Sequence, residues 1–151
     1  TVPSMKILYL CTGNSARSLM AEAFTREIVP PNAPIEVFSA GTHPKGIHPE
    51  TVAVMSEVGV DMISYASKAI SEIPFDSIDL VVTLCDDARR SCPAPPTGAA
   101  RIHWGLRDPA LEEGSDSSIH ARFQATRDEV HACVRKLMFE LATARKLRPG
   151  T

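Results

Sequence analysis

Cys11, Arg17 and Ser18 fall inside one short stretch, Leu8 to Ser18 (L-Y-L-C-T-G-N-S-A-R-S), that can hold a complete oxyanion chemistry. Lys6 to Leu10 is an apolar run of the kind that forms a buried strand, and from Ser18 onward Leu19, Ala23, Phe24 and Ile28 recur with helical spacing. The turn between them therefore ends at a helix N-terminus. Free N–H groups there favour a tetrahedral oxyanion, and they favour a thiolate over a thiol. Cys11 at the mouth of this loop is a candidate nucleophile, and Ser18 can donate its hydroxyl hydrogen to the sulfur. Arg17 can close over two oxygens at once with a planar, permanently charged fork. The loop residues Cys11, Thr12, Gly13, Asn14, Ser15, Ala16, Arg17 and Ser18 are the expected oxyanion cradle. A cysteine at a strand end is often only a small buried hydrophobe, but that leaves Gly13, Asn14 and Arg17 without a purpose.

The elements that must position this loop alternate along the chain. Ile35 to Ala40 reads as a second strand after the proline-rich turn Val29 to Pro34, and Gly41 to Gly46 as a loop. Pro49 suits the first turn of a helix that Gly59 ends. Ser67 to Glu72 has room for a helical turn or two, and Leu80 to Leu84 is a β-branched strand with Cys85 at its exit. A loop through Cys92, Pro93, Pro95, Pro96 and Gly98 leads to a fourth strand at Arg101 to Trp104, beyond which lies Asp108-Pro109. An amphipathic helix from about Ser118 to Lys146 closes the chain, with Phe123, Val130, Cys133, Val134, Leu137 and Leu141 along its apolar side. Such alternation predicts a single α/β domain over 5–148, a four-stranded parallel sheet with helices on both faces. Residues 1–4 read as a flexible lead ahead of Met5.

Ligands of open α/β sheets bind beyond the carboxyl ends of the strands, and Cys11, Cys85 and Asp108 each sit at such an exit. Asp before Pro is also a common turn opener. The 151 residues suit one domain, and sixteen basic against eighteen acidic residues give a net charge of −2, with no basic run suited to nucleic acid. No apolar run approaches transmembrane length and none resembles a secretion signal, so a cytoplasmic, membrane-free monomer is expected. Four cysteines (Cys11, Cys85, Cys92, Cys133) in such a chain favour redox or metal chemistry over a disulfide framework. The close cysteine pairs usual in structural zinc sites are missing. Cys133, in register with its apolar neighbours, is expected to be a buried core thiol, and none of the histidines is given a chemical role.

The stretch C-T-G-N-S-A-R-S-L-M-A-E resembles the signature loop of low-molecular-weight protein tyrosine phosphatases and of the thioredoxin-coupled arsenate reductases built on the same fold. The segments L-V-V-T-L-C-D-D-A-R-R-S-C-P, I-H-W-G-L-R-D-P and S-A-G-T-H-P-K-G extend the likeness to the reductases over nearly the whole chain. That resemblance implies three redox cysteines, Cys11, Cys85 and Cys92, and Asp108 as general acid. It implies reduction of arsenate to arsenite with no bound cofactor, thioredoxin then reducing a Cys85–Cys92 disulfide. The phosphatases typically place an aromatic after the Asp-Pro, and Asp108-Pro109-Ala110-Leu111 offers none. The competing expectation is a phosphatase hydrolysing aryl phosphates through a phosphocysteine; a non-catalytic oxyanion binder or redox sensor would need neither Asp108 nor the second thiol pair. Some reductases carry a further cysteine in the loop where this chain has Ala16. Some bind potassium through residues matching Asn14, Glu22 and Ser39 plus an aspartate, whose place Lys68 takes here, so no metal is expected. Asp86 to Ser91 has helical character, acids first and bases last.

Overall fold

The computed structural model describes residues 4–92, 98–110 and 113–147. The expected lead falls on residues outside these except for Ser4, as do Pro93, Pro95 and Pro96 of the expected loop.

Strands β1 (Met5–Cys11), β2 (Ile35–Gly41), β3 (Leu80–Thr83) and β4 (Ala100–His103) alternate with helices α1 (Arg17–Ile28), α2 (Pro49–Glu57), α3 (Asp86–Ser91) and α4 (Asp116–Leu147). All three strand pairings are parallel and the order is β2-β1-β3-β4. Ile7 to Leu10 of β1 and all four residues of β3 are buried. Successive side chains of a strand point to opposite faces, so both faces of the sheet are covered, as expected for a parallel sheet. The expected helical turn within Ser67 to Glu72 is a single 3-10 turn at Ile70–Glu72. Gly59, at φ 81°, takes the left-handed conformation just past α2 that a glycine adopts without strain.

α1 departs from the amphipathic stripe expected of it. Residues 17–25 are buried all round, whereas Ile28, placed on the apolar side by its spacing, is 37% exposed. α1 is wedged between the sheet and α4, so its polar side chains must find internal partners. Thr25 donates to the Ala21 carbonyl at 2.8 Å, and that leaves its oxygen to accept from the Tyr9 hydroxyl, also at 2.8 Å. Burial pushes the Tyr9 phenol up to about 12. Cys133 also differs from expectation. It is half-buried, at the margin of a stripe whose centre is Phe123, Val130, Val134 and Leu137. Among the described residues no helix is long and apolar enough to cross a membrane.

The strand order reverses direction between β1 and β3: the chain leaves β1 for β2 on one side and leaves β3 for β4 on the other. Such a switch point opens a crevice beyond the strand ends. Cys11 ends β1, and Cys85 lies two residues beyond β3. Leu84 N–H bonds the Leu10 carbonyl at 2.9 Å, so the two strands run out side by side.

Candidate active site

A cleft of about 490 Å³ opens at that crevice, lined among others by Cys11, Arg17, Lys45, Cys85, Leu106 and Asp108. The loop 11–18 forms its floor, and its conformation is imposed from outside. Thr42 N–H bonds the Cys11 carbonyl at 3.2 Å, His43 N–H that of Thr12 at 2.8 Å, Lys45 N–H that of Gly13 at 3.0 Å and His48 N–H that of Ser15 at 3.0 Å. The Thr51 hydroxyl adds a second bond to Ser15 O at 2.8 Å and Ser67 one to Gly13 O at 3.2 Å. Each peptide unit is planar with C=O and N–H opposed, so carbonyls held outward by this strap aim N–H groups toward the cleft. α1 has no side-chain cap at Ala16, so its first N–H groups lack that internal partner too.

Asn14 sits at the centre of the loop's rear wall. Its φ of 44° is left-handed, a conformation asparagine tolerates better than most residues. Lys68 N–H donates to Asn14 Oδ1 at 2.7 Å, which fixes the amide's orientation, and Nδ2 then donates to Ser18 Oγ at 2.7 Å and Ser39 Oγ at 3.0 Å. Ser18 Oγ also lies 2.8 Å from Cys11 Sγ. Because Ser18 already accepts from Asn14, its own hydrogen is free to point at the sulfur. Ser39 passes its hydrogen to Glu22 Oε1 at 2.5 Å. That buried carboxylate also receives two bonds from Arg26, at 2.9 and 3.1 Å, and has the Lys68 ammonium at 3.6 Å. Lys68, which stands where some relatives by resemblance have an aspartate, thus supplies positive charge beside Glu22, its Nζ donating as well to Ala66 O at 2.6 Å. Among the described residues no three His, Cys, Asp or Glu side chains converge as a metal site.

Gly41 explains how closely the strap approaches. A Cβ at Gly41 would stand 2.7 Å from Thr12 O and 2.9 Å from Asn14 N, so only glycine fits there.

Arg17 is nearly buried. It donates to the Leu106 carbonyl at 2.9 Å and reaches Asp108 Oδ2 at 3.5 Å. Asp108 Oδ1 accepts from Ala110 N–H at 2.9 Å, the turn role its Asp-Pro context suggested, and the carboxylate also lines the cleft. The same side chain thus makes the turn and faces the cleft.

Cys85 lies on the wall opposite. Its sulfur is 3.2 Å from Thr12 Oγ1 and accepts from Ala88 N–H at 3.3 Å, so Cys85 itself caps α3. Cys92 stands at the other end of the same helix, half-buried, its N–H bonded to Ala88 O at 2.9 Å. Burial pushes the Cys92 thiol up, with the nearby Arg101 charge pulling the other way. It does not line the cleft. α3 is clipped to the sheet from β4: His103 Nε2 meets Asp86 Oδ1 at 3.0 Å while its Nδ1 meets Thr83 Oγ1 at 2.8 Å, and Arg101 donates to the Arg89 carbonyl.

The cleft thus brings together Cys11, Arg17, Cys85 and Asp108, with Ser18 behind the sulfur, and leaves Cys92 aside. The histidines that carried no chemical expectation have structural work. His48 accepts from Glu50 N–H at 3.0 Å to cap α2 and lies 4.6 Å from the Phe123 ring, and His103 is the clip on α3. His120 bridges Glu50 at 2.5 Å and Glu57 at 2.8 Å, joining both ends of α2 to α4.

A thiol on a strand-to-helix loop, an arginine in the same loop and a carboxylate from a later strand exit are the parts a cysteine-dependent oxyanion site needs, gathered here on a doubly wound sheet. The chain belongs to the low molecular weight phosphotyrosine protein phosphatase family, whose profile matches residues 6–147. An arsenate reductase of Shouchella clausii is 43% identical over 134 residues, covering 88% of this chain and 95% of the relative. Among solved structures, a thioredoxin-dependent arsenate reductase of Corynebacterium glutamicum superposes with a TM-score of 0.72 at 26% identity, over 95% of this chain and 65% of that one. An arginine phosphatase of Geobacillus stearothermophilus superposes with a TM-score of 0.77 at 21% identity, over 97% and 99% of the two chains, a likeness of fold. Backbone similarity therefore does not separate reductase from phosphatase; the second thiol in the cleft bears on that choice.

Proposed function

We propose that this chain reduces arsenate to arsenite through a relay of Cys11, Cys85 and Cys92, with thioredoxin as the external reductant. The observation that carries the reading is the presence of two thiols, Cys11 and Cys85, in one oxyanion cleft. A phosphatase needs one. The similar chains named arsenate reductases, one of them thioredoxin-dependent, support the choice of oxyanion and partner.

Arsenate enters with its oxygens against the loop N–H groups and the Arg17 fork. The Cys11 thiolate attacks arsenic, an S–As bond forms and an As–O bond breaks, and Asp108 gives a proton to the departing oxygen, which leaves as water. The Cys85 thiolate then attacks the Cys11 sulfur. An S–S bond forms, and the electron pair of the broken S–As bond stays on arsenic, which leaves as arsenite two electrons richer. Cys92 next attacks the Cys85 sulfur and expels the Cys11 thiolate. A dithiol takes the Cys85–Cys92 disulfide by exchange and is itself oxidised. No bound cofactor is required, and a reducing cytoplasm suits such a cycle.

The last internal step requires motion. Seven residues of helix separate Cys85 from Cys92 by roughly 10.5 Å along the axis, whereas a disulfide needs Cα atoms roughly 5.5–6 Å apart. α3 must unwind for the bond to close. Unwinding also exposes Cys92 and removes the burial that pushes its thiol up. The deciding experiment offers arsenate with thioredoxin, thioredoxin reductase and NADPH, alongside aryl-phosphate hydrolysis by the same preparation. NADPH consumption that depends on both arsenate and thioredoxin is expected. Hydrolysis with no arsenate-dependent oxidation would assign the chain to the phosphatases instead.

A further inference from the structure

We propose that Lys45 is a second oxyanion-binding cation of this cleft, laid across the loop so that its ammonium meets the oxygens Arg17 does not cover. The inference rests on the reading of the cleft as an oxyanion site. Three observations carry it. Lys45 lines the cleft together with Cys11 and Arg17. Its backbone N–H is pinned to the Gly13 carbonyl at 3.0 Å, and its stem then lies directly on Gly13: a Cβ there would stand 2.5 Å from Lys45 Cε and 3.1 Å from Cγ. Among the described residues no hydrogen bond or ion pair occupies its ammonium, whereas Lys6 is paired with Glu36 and Lys68 with Glu22.

This geometry assigns Gly13 a task. Without a side chain at that position the lysine can fold over the loop from outside and bring its charge to the rim, losing little further freedom when an anion arrives. Arg90 reaches the cleft from α3, while Arg17 and Lys45 are the cations of the loop and its strap, and their labour divides by shape. A guanidinium is a planar fork that holds two oxygens in fixed geometry, while an ammonium is a compact point charge that attracts the remaining charge without dictating direction. A doubly charged tetrahedral anion gains most from the pair. Arsenous acid is uncharged near neutrality, so the lysine tightens substrate without retaining product.

Isothermal titration of the reduced full chain with inorganic phosphate, at low and raised salt, tests this for the wild type, Lys45→Gln and Lys45→Arg, with arsenate kinetics and melting temperature measured on each. Lys45→Gln is expected to weaken phosphate binding about three- to fivefold, as an exposed charge pair does, and to flatten its salt dependence. KM for arsenate should rise by the same factor with kcat moving far less, Lys45→Arg should restore most of the loss, and melting should stay put. Equal phosphate affinity in wild type and Lys45→Gln overturns the proposal, as does a loss that Lys45→Arg shares and a lowered melting temperature accompanies. A wild type that binds no phosphate overturns it as well. A wild type that binds phosphate but consumes no NADPH with arsenate overturns the reductase reading alone, and the comparison of variants still decides the role of Lys45.

Discussion

The loop 11–18 and the helix α3 face each other across one cleft, yet they are held in opposite ways. Carbonyls of Cys11, Thr12, Gly13 and Ser15 are each bonded to the strap that follows β2, and Asn14 is locked by three further bonds at its side chain. α3 has six residues, far below the length at which a helix is stable by itself. Among its links to β4 are the His103 and Arg101 clips, on a strand whose first residues are exposed. The difference suits the proposed relay. Stabilising charge as it develops on arsenic would need donors fixed beforehand, whereas passing a disulfide to Cys92 would need a segment that can let go.

Changes to the fixed side should be the most damaging. Cys11→Ser and Arg17→Ala are each expected to cut both arsenate reduction and aryl-phosphate hydrolysis by more than about a thousandfold, with far-UV circular dichroism unchanged. Substantial turnover by Cys11→Ser would place the nucleophile elsewhere. Gly41→Ala forces a Cβ against the loop backbone at 2.7 Å. It should cost about 1–3 kcal/mol in chemical denaturation and weaken phosphate binding along with it; a variant as stable and as tight-binding as wild type would mean that the strap does not set the loop.

On the α3 side, Cys85→Ser and Cys92→Ser should stop sustained arsenate reduction while leaving aryl-phosphate hydrolysis within about tenfold of wild type, since on the proposed mechanism hydrolysis uses Cys11, Arg17 and Asp108. Joint loss of both activities would make those cysteines structural. His103→Ala should speed closure of the Cys85–Cys92 disulfide by a few-fold, seen by mass spectrometry after a diamide pulse. Amide exchange should also rise over 85–92, with 11–18 still protected. Faster exchange in the loop as well would mean that the loop and α3 are held alike.

The smallest effect concerns the α2–α4 contact. The carboxylates of Glu50 first and then Glu57 raise the His120 imidazole, while Gln124 above all, then His120, hold Glu57 below its usual value. Arg127 and Asp128 complete the group. A raised histidine stabilises the fold fully below its ordinary value of about 6.5 and loses that contribution as pH rises through the raised value. Melting measured upward from pH 6 should therefore fall more steeply for wild type than for His120→Gln, and less so in high salt. Parallel curves would show that the bridge contributes nothing.

Much of the site was legible because its chemistry is local. Cys11, Arg17 and Ser18 lie within one strand-to-helix turn, and the apolar runs that fix β1 and β3 also fix the exits where Cys11 and Cys85 emerge. The helical character of residues 86–91 was readable from charge order. The strap was not, because backbone N–H groups make its bonds to the loop and every residue except proline carries one. The bridge at His120 escaped for another reason: its partners lie 70 and 63 residues away in the chain. Cys133 and Ile28 show the limit of periodicity, which locates a stripe but not how far the neighbouring layer reaches over its edge.

For the proposed relay, the parallel register of β1 and β3 would act as a ruler for electron transfer between sulfurs. Leu10 is aligned with Thr83, and one more rung ties Leu84 to Leu10 before the chains part. The separation at which Cys11 and Cys85 leave the sheet is thereby tied to the strand spacing of about 4.8 Å, a dimension of backbone hydrogen bonding that side-chain substitution hardly alters. Loop mutations can retune how quickly each thiol reacts. Moving the two apart at their roots would take a slip of the ladder, and a slip of one residue would turn every buried side chain of β3 to the other face.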